Sequence, residues 1–91
     1  MQRKNDKSLQ IRSAIGKIIK KQRLEKQKFS CNKLEEEYDI SKGHINKIEK
    51  GNIDCKVITM WKIAEALDMN LSDLIKLIEE ELGQDFNLID I

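Results

Sequence analysis

The sequence predicts an all-α fold, and three observations carry that expectation. Proline is absent from all 91 residues, and glycine occurs only at positions 16, 43, 51 and 83. Alternating β-branched runs of the kind that form half-buried strands are nearly missing. Apolar residues instead recur at helical spacing along most of the chain, which divides into five segments with short connections.

The first helix is expected from about Leu9 to Lys26. Ile11, Ile15, Ile18, Ile19 and Gln22 fall on one stripe with lysines on the opposite face, and Ser8 offers an N-capping hydroxyl. The second opens at Ser30, which can cap the following turn, sets Leu34 and Tyr38 one turn apart, and stops near Asp39. Asp39 tolerates a left-handed backbone and Ser41 offers a fresh cap, so the chain turns and restarts at once. In the third helix Ile45 and Ile48 face inward, and Gly51 supplies the stop. Asp54 is expected to cap a fourth helix over 56–68, with Val57, Met60, Ile63, Ala64 and Leu67 inside. Ser72 is expected to cap a fifth that runs through Leu74, Ile75 and Ile78 to Leu82, with Gly83 ending it. These elements make a single domain over residues 1–91, with a core at about 9–82 and a short apolar tail over 83–91. Phe86, Leu88, Ile89 and Ile91 in that tail either fold back on the core or add area to a dimer interface.

Composition excludes several classes. An apolar content of 40% with a net charge of +1 is too apolar and too neutral for a disordered chain. Apolar stretches of a few residues fall far short of the roughly 18 that cross a bilayer, so no membrane partner is expected. The charged N-terminus is no signal peptide, which points to a cytoplasmic protein. Cys31 and Cys55 form no C-x-x-C pair, and His44 is the single histidine, so no metal and no cofactor is expected and the thiols are read as reduced. No nucleophile–base spacing and no glycine-rich phosphate loop is present, so no catalytic residue is assigned and the chain is not read as an enzyme.

The near-neutral total hides a division. Residues 1–50 hold fourteen Lys or Arg against seven acids, a net +7, whereas residues 51–91 hold three against nine, a net −6. A basic half can face a polyanion while the acidic half turns away from it.

Two short helices joined at Asp39-Ile40-Ser41 form a helix-turn-helix pattern, whose second helix enters the DNA major groove. With Ser41 as N-cap, Lys42, Gly43, His44 and Lys47 turn outward as candidate base contacts. Phosphate contacts are assigned to the helix-start amides of Cys31 and Asn32 and to the side chains of Asn32, Asn46, Lys50, Asn52 and Lys56. Trp61 is read as a packing anchor between helices, because the four aromatic residues are scattered.

Several spaced blocks around this motif resemble the lambda-repressor-like, Cro/C1-type (XRE family) helix-turn-helix regulators. They are Ile15-Gly16-x-x-Ile19-x-x-x-Arg23, Ser30-x-x-x-Leu34, and Ile40-Ser41-x-x-x-Ile45-x-x-Ile48-Glu49-x-Gly51, followed by Trp61-x-Ile63-Ala64-x-Ala66-Leu67 and Leu71-Ser72-x-Leu74. The resemblance implies a five-helix lambda-repressor-like domain and a sequence-specific regulator of transcription, repressor-like, that binds double-stranded DNA as a homodimer on a palindromic site. It also implies that Arg23 pairs with Glu49 as a structural ion pair. An antitoxin-like or adaptor module of the same fold, gripping a protein partner through its acidic C-terminal half, is the alternative. The chain departs from the pattern at Glu35 (usually small), Asp39 (usually glycine), Cys31 (usually glutamine) and Cys55 (usually proline), and by one extra residue between Arg23 and Ser30. Glu35 is expected to lean outward, with Lys28 or Arg23 as its partner.

Overall fold

The computed structural model describes residues 2–89, with side chains from Lys7 onward. In chain order it contains α1 (Gln2–Lys21), a π-helical turn (Gln22–Gln27), α2 (Cys31–Tyr38), α3 (Lys42–Glu49), α4 (Val57–Ala66) and α5 (Leu71–Leu82), with no strand among the described residues. The fold is the all-α, lambda-repressor-like arrangement that the sequence predicts. α1 is the spine, packing against both α5 and α3; α2 rests on α3 and α4, and α4 on α5.

The core is built where the helical stripes converge. Ile19, Leu34, Ile45, Ile48, Ile63 and Leu74 are the largest fully buried side chains, and every α-helix contributes at least one. Burying an aliphatic side chain of this size is worth about 1.5–3 kcal/mol, so these contacts hold the short helices that could not persist alone. Gly16 permits a close approach of α1 to α3. A methyl group at that position would overlap the carbonyl oxygen of Ile48 and stand 2.6 Å from that of Glu49, so α1 reaches the end of α3 only because the side chain is missing.

The helix ends agree with the sequence in part. Ser30 Oγ accepts from the Lys33 amide at 3.1 Å, and Ser41 Oγ accepts from the His44 amide at 3.4 Å. Asp39 adopts the left-handed conformation at φ 57° and Gly51 does so at φ 74°. Other boundaries move. α1 begins at Gln2, so Ser8 lies within the helix and caps nothing there. α4 starts after Lys56 with no side-chain cap, so Asp54 does not serve, and it ends at Ala66, with Asp68 in a left-handed turn. α5 starts after Asn70, which places Ser72 in its first turn rather than at the cap. Val57, expected inside, is 64% exposed, and Trp61, expected to anchor helices together, is 52% exposed. Ile53 packs against the core, whereas Ile58 faces solvent. In the tail Phe86 is half-buried while Leu88 and Ile89 are exposed; Asp90 and Ile91 lie outside the described residues.

The extra residue before Ser30 has a structural answer. Residues 22–27 wind as a π-helix, whose wider i→i+5 turn accommodates one residue more than an α-helical turn in the same rise. The segment closes at Lys28 in the left-handed conformation, with the Lys28 and Phe29 amides both donating to the Arg23 carbonyl. From within this turn the Arg23 side chain reaches the end of α3.

Candidate nucleic-acid interface

α3 separates its two faces cleanly. Ile45 and Ile48 are buried against the core, while Lys42, Gly43, Asn46 and Lys47 are exposed and His44 is half-buried. A Cβ at Gly43 would meet only Ser41 Oγ, at 3.9 Å, so packing does not demand glycine here. Its lack of a side chain leaves a bare strip of backbone on the outer face of the helix.

Two contacts fix how this helix is presented. Arg23 Nε donates to Glu49 Oε2 at 2.7 Å and Arg23 Nη2 to Glu49 Oε1 at 2.9 Å, a bidentate pair, while Nη1 donates to the Phe29 carbonyl at 2.8 Å. Both side chains are nearly buried, and the hydrogen bonds to Glu49 raise the Arg23 pKa above its ordinary value against the opposing effect of burial. At the other end of α3, Glu35 Oε2 accepts from the Lys42 amide at 3.2 Å. Glu35 does lean outward, but its partner is that backbone amide, neither Lys28 nor Arg23. The carboxylate from α2 thus satisfies an amide at the start of α3, where the helix dipole favours negative charge.

The other residues assigned from the sequence fall around this helix. Cys31 Sγ donates to Asn46 Oδ1 at 3.7 Å, joining the start of α2 to the outer face of α3. Asn32, Lys50, Asn52 and Lys56 are exposed at the start of α2, the end of α3 and the start of α4. Two further residues were not singled out from the sequence. Thr59 and Lys62 of α4 line, with Gly43, His44 and Lys47, a cleft of about 390 Å³ beside α3, and Lys62 Nζ donates to the Asp39 carbonyl at 3.1 Å. Their signal was the three-residue spacing of Lys56, Thr59 and Lys62, which puts polar groups along one side of α4.

The sequence profile of the Cro/C1-type (XRE) helix-turn-helix family matches residues 19–74, which is more than half of the chain. The chain belongs to this family. As a Cro/C1-type helix-turn-helix protein it is a DNA-binding regulator, in a family of regulatory domains and not of enzymes. No curated protein and no solved structure matches it. Among the described residues no helix is long and apolar enough to cross a membrane.

Proposed function

We propose that this Cro/C1-type protein is a repressor-like transcriptional regulator that inserts α3 into the major groove of a palindromic site as a homodimer. The observation that carries the reading is the division of α3, with its isoleucines buried and Lys42, Gly43, His44 and Lys47 turned outward as the base-facing set. Lys42 and Lys47 suit guanine O6 and N7, and the backbone at Gly43 can approach the duplex closely. Cys31 and Asn32 amides, with Asn46, Lys50, Asn52 and Lys56, supply the phosphate contacts. Twofold pairing sets half-sites about 34 Å apart, and the exposed Leu88 and Ile89 beyond α5 are the apolar surface offered to the second copy.

Selection of bound duplexes from a random pool tests this. An enriched inverted repeat is expected, with log affinity falling against log salt at a slope near −5 if six phosphates are neutralised, at about −0.9 per phosphate. Lys47→Ala should relax the preference at one base position in each half-site, by about 1–3 kcal/mol. A pool that emerges unenriched at low salt overturns the reading.

A further inference from the structure

We propose that the groove between the outer sides of α4 and α5 docks a basic amphipathic helix of another protein. This gives a location and a partner chemistry to the protein-binding role considered for the acidic half, and it stands apart from DNA binding by α3. Trp61, Glu65, Met69, Leu71, Ile75 and Glu79 line the groove, whose volume is about 640 Å³. On α4 the line continues one turn toward the N-terminus to Ile58, which is 74% exposed. An indole and an isoleucine this exposed on neighbouring turns are apolar surface that folding leaves uncovered, and such patches mark interaction sites. A helix presenting apolar residues at i, i+3 or i+4, and i+7 has the shape to fill a groove between two helices.

Charge decides between occupants. No lysine or arginine lines the groove, and its two walls carry one carboxylate each, Glu65 on α4 and Glu79 on α5. The adjoining depression adds Asp68 and Asp73. Among the described residues none of these four acids has an ion-pair partner. A second copy docked isologously would set these carboxylates against themselves. A cationic segment would instead meet opposite charge along both rims and place a guanidinium or ammonium within reach of the Trp61 face.

Trp61 is the only tryptophan, so its fluorescence reports occupancy of the groove directly. The intact chain is titrated with a synthetic helical peptide of leucines and lysines carrying the i, i+3, i+7 stripe, and with its counterpart in which every lysine is glutamate. The lysine peptide should blue-shift Trp61 emission and bind at least tenfold more tightly than the glutamate peptide. Raising the salt, or the double change Glu65→Gln and Glu79→Gln, should erase that preference. By anisotropy of a labelled peptide, Ile75→Ser should weaken binding tenfold or more with the helical dichroism intact, while Glu80→Gln, outside the groove, changes nothing. Equal binding of both peptides overturns the proposal. So does a chain that sediments as a dimer and becomes monomeric on Trp61→Ser, because the occupant is then a second copy.

Discussion

Arg23 and Glu49 join the π-helical turn that follows α1 to the last residue of α3 through two parallel hydrogen bonds, and the same guanidinium holds the Phe29 carbonyl ahead of α2. One side chain therefore ties together three segments that meet at the helix-turn-helix. Because the pair is nearly buried, Glu49→Ala should cost about 3–5 kcal/mol by leaving an uncompensated charge inside. The double change Arg23→Met, Glu49→Leu should cost less than Glu49→Ala alone. Urea denaturation of the three proteins checks this, and an unchanged midpoint for Glu49→Ala would contradict it.

Gly16 sets the distance between α1 and α3. Gly16→Ala forces a methyl group into the Ile48 and Glu49 carbonyls, which are backbone and cannot rotate away. The expected loss is about 1–3 kcal/mol, the range for overpacking, even though alanine is the better helix former. Thermal unfolding measures it. A stabilised Gly16→Ala protein would show that the two helices are not in contact at this point.

Lys28 and Asp39 both hold left-handed backbone, at φ 57°. That conformation costs an ordinary L-residue about 1–2 kcal/mol, and glycine gives back about 0.5–1 kcal/mol in entropy, so Lys28→Gly should gain about 0.5–1 kcal/mol. At about 4–8 °C per kcal/mol for a domain of this size, the melting temperature should rise by about 2–8 °C. Asp39→Gly should gain less, since aspartate already tolerates this region. Lys28→Ala, which keeps the steric conflict, is the control and should gain nothing.

Cys55 is buried, and that burial, reinforced by the negative charge of Asp54, pushes its thiol up from 9.0 to about 11. Between those values the unfolded chain has released the proton that the folded chain still binds, so unfolding gains from rising pH. The contribution of the neutral thiol is complete below pH 9 and lost by about pH 11. Wild type should therefore lose stability more steeply across this window than Cys55→Ala, as read from urea midpoints at several pH values. Parallel slopes would remove the effect.

Local chemistry was the legible part of the sequence. Ser30 and Ser41 announce their caps because each directly follows a chain reversal and precedes an apolar stripe, and Asp39 with Gly51 marks the turns by tolerating left-handed backbone. α4 was harder to read. With Val57, Ile58, Met60, Trp61, Ile63 and Ala64, its apolar residues wrap most of the circumference, so periodicity cannot tell which of them the neighbours cover. Spacing therefore predicts Val57 inside and Trp61 as an anchor between helices, whereas both face out. The partner of Glu35 depends on how α2 and α3 cross, which no spacing along the chain encodes. Ser8, Asp54 and Ser72 are good capping residues beside apolar stripes, but the backbone begins its helix at Gln2, Val57 and Leu71 instead.

The widened winding at residues 22–27 works as slack in the chain, with room for the one residue by which this stretch exceeds the spacing of the family pattern. Any gapless pairing of this protein with a shorter family member through that stretch misassigns every position on one side of it by about 100° of rotation, since an α-helix turns once in 3.6 residues. Ile18 would then be equated with the exposed position of Lys17, and Lys20 with the core position of Ile19. A change of length at this point is thus taken up in the turn itself, provided that Arg23 keeps its hold on Glu49 at the end of α3.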